Sequence, residues 1–139
     1  MATIEFIIVG KKNPQKPENP KKYYATPVWK GLVDIETLAK EVAGRSSLTV
    51  GDVLNVIQNF LDVIPPHLLN GEAVDLNKIG ILRVSFGSRG AASAAEFEVA
   101  LIRGQRINYL PSTELKKEVL TKLKFQRISS NPKARKRKK

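Results

Sequence analysis

Between Asp34 and Leu120 the apolar residues change their spacing from a helical period to a strand period and back, with a capping or turn residue at each change. Asp34 can accept bonds from free amides, and Ile35, Leu38, Ala39 and Val42 follow at i, i+3, i+4 and i+7 until Gly44 ends the run. Thr49 with Asp52 three residues on matches a capping box with the shorter acid. The helix it opens carries Val53, Leu54, Ile57, Phe60, Leu61 and Ile64, a face wide enough to predict burial on two sides. Pro65-Pro66 predicts an end or kink, with His67-Leu68-Leu69 as a further turn before Asn70-Gly71. Val74 and Leu76, then Leu82, Val84 and Phe86, alternate with small or polar neighbours and predict two half-buried strands around Lys78-Ile79-Gly80. Ser112 caps a last helix carrying Leu115, Val119 and Leu123. Helices, a strand pair and a helix in that order predict an α+β fold.

The stretch from Gly87 to Ile102 has two readings. Phe97, Val99 and Leu101 alternate with Glu98, Ala100 and Ile102 as in a hairpin arm, whereas Ser93 and Glu96 would suit a short capped helix. Arg103-Gly104-Gln105-Arg106 predicts a bulge or turn, after which Ile107 and Tyr109 continue a strand. At the N-terminus, Thr3 to Val9 is β-branched and apolar and predicts a strand closed by Gly10. Pro14, Pro17 and Pro20 then make residues 11–22 a long loop rich in lysine. Tyr23 to Trp29 reads as an edge strand because of Pro27; its aromatics Tyr23, Tyr24 and Trp29 could stack on bases, but aromatics in a strand are more often core packing. Lys124 to Ile128 predicts a closing strand. From Ser129 onward a proline and a basic run offer nothing to bury, which predicts disorder. The expected division is an N-terminal β extension over 1–33, a central domain over 34–128 and a basic tail over 129–139.

Composition narrows the chemistry. A chain of 139 residues can bury about two-thirds of its surface without staples. With no cysteine, disulfides, thiolate metal sites and thiol nucleophiles are excluded. His67 stands alone and reads as a helix-end surface residue, and Asp34, Asp52, Asp62 and Asp75 suit cap or surface roles. No triad, phosphate loop or dinucleotide fingerprint is present, so no enzyme activity, cofactor, metal or small-molecule substrate is expected. The apolar stretch Phe6 to Val9 falls far short of the ~20 residues of a membrane span, so a soluble protein is expected, and the lack of cysteine permits an intracellular one.

The net charge of +11 is unevenly placed. Residues 1–30 hold six lysines against Glu5 and Glu18, residues 31–128 hold twelve basic and eleven acidic side chains, and residues 129–139 hold six cations and no acid. A nearly neutral body with basic ends suits a polyanionic partner.

The block from Asp34 to Leu120 resembles the bacterial HU and integration host factor family. The resemblance rests on Ser47-Leu48-Thr49 at the helix joint, on Val74-Asp75-Leu76-Asn77-Lys78-Ile79-Gly80-Ile81-Leu82 at the strand turn, and on Tyr109-Leu110-Pro111-Ser112 ahead of Leu115-Lys116. With the added N-terminal strand, the proline loop and the last Lys-Phe-Gln-Arg-Ile segment, the chain looks like an extended HU-like subgroup. The resemblance implies a helical base, a three-stranded antiparallel sheet and a β-arm, assembled as an intertwined homodimer whose arms embrace the DNA minor groove. The wide face of the second helix would then be a dimer core. The arm here departs from the family pattern, holding only Arg89 and lacking the tip proline that wedges a base step.

The expected partner is duplex DNA read with low sequence specificity. Arg83, Arg89, Arg103 and Arg106 lie on or beside the arm, where guanidinium groups meet the negative potential of a narrow minor groove. Lys116 and Lys117 suit positioning phosphate contacts. In the tail, Lys133, Arg135, Lys136, Arg137, Lys138 and Lys139 can neutralise about six phosphates, implying a log-log salt slope of roughly −5. The bland alternatives are solvated arginines paired with Glu96 and Glu98, and a tail that only aids solubility. Gly87-Ser88-Arg89-Gly90 also fits a G-x-x-G nucleotide clamp, but that loop joins two helices and here a strand precedes it. Two other functions fit the same charge: a basic RNA- or ribosome-associated protein, and an HU-like structural module that has lost DNA binding.

Overall fold

The computed structural model describes residues 2–129. Its elements run β1 (Ile4–Lys11), β2 (Lys22–Val28), α1 (Ile35–Ala43), α2 (Val50–Leu69), β3 (Val74–Asp75), β4 (Gly80–Ser88), a 3-10 turn (Val99–Leu101), β5 (Ile102–Pro111), α3 (Thr113–Leu120) and β6 (Phe125–Arg127). The chain is mixed α+β with two three-stranded sheets, ordered β2-β1-β6 and β3-β4-β5. The described residues divide into two compact units, one of residues 33–119 and one joining residues 2–32 to residues 120–129.

In the unit of residues 33–119 the helices start where side chains satisfy free amides. Asp34 Oδ1 accepts from the Thr37 N–H at 2.8 Å, and the Thr49 hydroxyl and Asp52 carboxylate bond each other's backbone in a complete capping box. Helix α1 lies against α2, burying Ala39, and Val53 is buried on α2. Helix α2 runs through Pro65 and Pro66 to Leu69, where the sequence predicts an end or kink. Both prolines lack the N–H that would bond four residues back, yet their fixed φ is helical. Ile57, Ile64 and Leu68 are half-buried at the helical spacing of Val53, so one packed face holds the segment as helix. The strands β3, β4 and β5 form the expected antiparallel sheet.

Residues 89–101 depart from the expected alternation. The Glu96 N–H bonds both the carbonyl and the hydroxyl oxygen of Ser93, making a turn, and Val99–Leu101 winds into the 3-10 turn. The returning strand therefore begins at Ile102, and Phe97, Val99 and Leu101 are not strand residues. The last helix also ends before Leu123, which lies half-buried beyond it.

In the other unit β1 pairs antiparallel with β2 from Glu5 opposite Val28 to Lys11 opposite Lys22, and parallel with β6. The Ile4 N–H bonds the Lys124 carbonyl at 2.8 Å and the Ile128 N–H bonds that of Phe6 at 2.9 Å. Residues 125–127, which the sequence reading placed with the central block, are thus laddered to the N-terminal strand. Pro27 sits on the edge strand, where its missing donor costs no ladder bond. The aromatics of this segment are not core residues: Tyr23 is 71% and Trp29 75% exposed, and only Val28 is buried. Tyr23 lies across its strand partner Gly10, where an added Cβ would come within 3.1 Å of the ring.

Candidate nucleic-acid interface

Two of the three sequence motifs that carry the family resemblance, the strand turn and the segment ahead of the last helix, meet at the foot of the β4–β5 ribbon. Asp75 Oδ1 accepts from the Asn77 N–H at 2.8 Å, which holds Asn77 at a left-handed φ of 56°. The turn closes as the Leu76 N–H bonds the Gly80 carbonyl at 2.7 Å. Gly80 has φ 138°, and a Cβ there would stand 2.1 Å from the Leu110 carbonyl oxygen, so the close approach of the strands requires glycine. From the other motif the Tyr109 hydroxyl donates to the Ile79 carbonyl at 2.7 Å, and the Ser112 hydroxyl donates to that of Lys78. Ser112 Oγ also accepts from the Leu115 N–H at 3.0 Å, capping α3. One turn thereby fixes the base of the ribbon and the start of the last helix.

The ribbon itself is built on a bulge. The pairing runs from Gly80 opposite Pro111 to Ser85 opposite Arg106, then shifts so that Gly87 opposes Arg103. Gly104 and Gln105 together face Phe86, and Gly104 has φ 68°, a conformation favouring glycine at such a bulge. The consequence is chemical. Arg103 and Arg106 are three residues apart and would alternate faces in a regular strand, whereas the bulge returns both to the face that Arg83 shares with Ser85 and Asn108. On that face Asn108 donates to the Ser85 hydroxyl.

All three arginines are exposed, and among the described residues neither they nor Arg89 form an ion pair, so the pairing with Glu96 and Glu98 that the bland alternative requires is not found. Arg89 follows the end of β4, its N–H bonding the Leu101 carbonyl at 2.9 Å. Lys116 and Lys117 are exposed on α3. Lys133, Arg135, Lys136, Arg137, Lys138 and Lys139 lie outside the described residues. The sequence pointed to these side chains singly. That the bulge gathers three of them was not foreseen, although a glycine inside an Arg-x-x-Arg spacing signals it.

A second surface of the same unit is apolar. Val56, Phe60 and Val63, spaced i, i+4 and i+7 on α2, are 61%, 52% and 56% exposed. Across the ribbon from the arginines, Val84 and Ile107 are paired and exposed. Of the predicted wide face of α2, Val53 is buried and Leu54, Ile57 and Ile64 are half-buried, whereas Phe60 and Leu61 stay exposed, and Val56 and Val63 lie outside that predicted set. Away from both surfaces, hydrogen bonds from Thr37 and Thr49 hold the Asp34 and Asp52 carboxyls below their ordinary range. Glu72 is lowered in the same way by His67 and then Asn70; His67 Nδ1 lies 2.8 Å from its carboxylate, at the exposed helix end expected for this histidine. No helix among the described residues is long and apolar enough to cross a membrane.

Comparison with known proteins places this geometry. A family model described as "HU domain fused to wHTH, Ig, or Glycine-rich motif" matches residues 1–127. Among solved structures, a candidate bacterial DNA-binding protein from Bacteroides vulgatus ATCC 8482 superposes with a TM-score of 0.60 at 14% identity, over 95% of this chain and 51% of that one. The chain thus spans about half the length of the structure it matches. No curated protein matches the chain.

Proposed function

Because this chain belongs to the HU-HIG family, HU domains fused to further motifs, we propose that it is a non-catalytic architectural protein that binds duplex DNA as a homodimer with little sequence selectivity. The observation that carries this reading is the bulged ribbon, whose register sets Arg83, Arg103 and Arg106 on one face with no acidic partner among the described residues. Guanidinium groups in a row suit the narrow, negative minor groove, and they contact it without reading a unique base pattern. The Val56, Phe60 and Val63 stripe supports assembly, since apolar side chains at helical spacing are stabilised by a partner surface. The tail from residue 129 would add phosphate neutralisation, and the site of action would be the cytoplasmic nucleoid.

A mobility-shift series on linear, gapped and bent duplexes tests the proposal. The wild-type protein should bind all three and favour bent or gapped DNA. Replacing Arg83, Arg103 and Arg106 together by Gln should weaken binding on each and reduce the salt slope by about 3 for each bound chain, about 5 for the dimer. Unchanged binding by the triple variant, or a preference for structured RNA over every duplex, would defeat it.

A further inference from the structure

We propose that the β1–β2 hairpin is a second nucleic-acid site, gripping a single strand through Lys11, Lys12 and Lys22 with Tyr24 as a stacking platform. The inference rests on the nucleic-acid reading above but uses none of its residues. Lys11 and Lys22 are direct cross-strand partners, and like charges in that position destabilise a sheet. Lys12 follows immediately. Among the described residues none of the three forms an ion pair, and neither does Glu18, the one acid of the connecting loop. The cations surround a cavity of about 640 Å³ whose lining also includes Asn13, Asn19 and Tyr24. An anion seated between the lysines removes their repulsion, and the two amides add hydrogen-bonding groups for phosphate oxygens or base edges.

Tyr24 decides the class of anion. By register it stands on the same sheet face as Lys11 and Lys22, and it is half-exposed. A ring beside a row of point charges matches successive phosphates with an unpaired base laid on the aromatic face. In a duplex those base faces are hidden in the stack, so the site selects a single strand. Lysine makes no planar bidentate contact of the kind that reads guanine, so selection by sequence is weak.

The test uses the full chain and fluorescent oligonucleotides: a thymidine strand, a uridine strand and a blunt duplex, each titrated at several salt concentrations. The combined variant Lys11→Gln, Lys12→Gln and Lys22→Gln, which relieves a repulsion and so spares the fold, should weaken single-strand binding about tenfold or more. Its salt slope should fall by about 2, from ~0.7 counterions per single-strand phosphate. Tyr24→Leu should weaken single-strand binding about fivefold or more with the slope unchanged. Equal losses on the thymidine and uridine strands support backbone and base-face recognition. Duplex binding should change far less in both variants. Unchanged single-strand binding by either variant, or equal losses on strand and duplex, overturns the site. If the wild type binds duplex but no single strand, the hairpin proposal fails alone. Hairpin-dependent strand binding without duplex binding supports the hairpin and overturns the ribbon reading, and binding to neither overturns both.

Discussion

Gly80 carries two constraints at once, a left-handed backbone and a strand partner too close for any side chain. Alanine there should cost about 3 kcal/mol or more, from strain plus overpacking against a carbonyl that cannot move without breaking the ladder. Gly90 is the matched control. It has open space and no left-handed φ, so Gly90→Ala should stay within about 0.5 kcal/mol. Urea denaturation of the two variants checks both values, and similar midpoints would contradict the close approach. Ser112 differs because its hydroxyl spans two elements, donating to the Lys78 carbonyl while accepting from the Leu115 N–H. Both motifs meet through that one oxygen, which gives a physical reason for their joint presence in the sequence.

The bulge makes a prediction at the level of an element. Deleting Gly104 should restore a regular ladder in which Arg103 and Arg106, then two residues apart, stay on the face of Arg83 with Arg103 still opposite Gly87. The salt slope of duplex binding should then hold, whereas Arg103→Gln should lower it by about 2 for the proposed dimer, one phosphate contact per chain, and a mobility-shift series at graded salt compares them. The capped helices give a second. Asp34 and Asp52 are held below their ordinary range by bonds made only in the fold, so their contribution is present above the unfolded value and lost as pH falls through the folded one. Stability followed by helical circular dichroism should therefore decline below about pH 4, and less steeply in Asp52→Asn. These caps were legible in the sequence because donor and acceptor lie three residues apart, and the Asp75–Gly80 turn was legible for the same reason. What escaped was set either by a competing local turn or by distant partners. The alternation of Phe97, Val99 and Leu101 suited a strand equally well, but Ser93 and Glu98 close local turns first. The parallel ladder of β6 with β1 joins segments from opposite ends of the chain, and no local pattern encodes it. The exposure of Tyr23 and Trp29 likewise follows from what covers the sheet rather than from residue type. At the candidate site, each arginine was visible singly, while their common face depended on Gly104.

For the whole molecule the question is what covers the exposed side of α2. Among the described residues only Val28, Ala39 and Val53 are buried apolar side chains, and the last two belong to the helical unit. So few buried groups give little stability against the conformational entropy of ordering that unit, and in the homodimer proposed above a second copy would supply the missing contacts. Phe60 sits in the middle of the Val56 to Val63 stripe, which makes it the residue to change. Phe60→Glu would place a carboxylate in the centre of an apolar contact, where desolvation opposes association, yet it leaves the exposed face of an isolated chain soluble. Sedimentation equilibrium should give twice the 15.4 kDa chain mass for the wild type and a shift toward the single-chain mass for the variant. Duplex affinity should fall on the order of a hundredfold, because the second ribbon then binds as a separate molecule rather than at the effective concentration set by the first. Loss of mass and loss of affinity should coincide. A Phe60→Glu protein that becomes a single chain but binds duplex as tightly as before would show that one ribbon suffices, and the homodimer would have no part in binding.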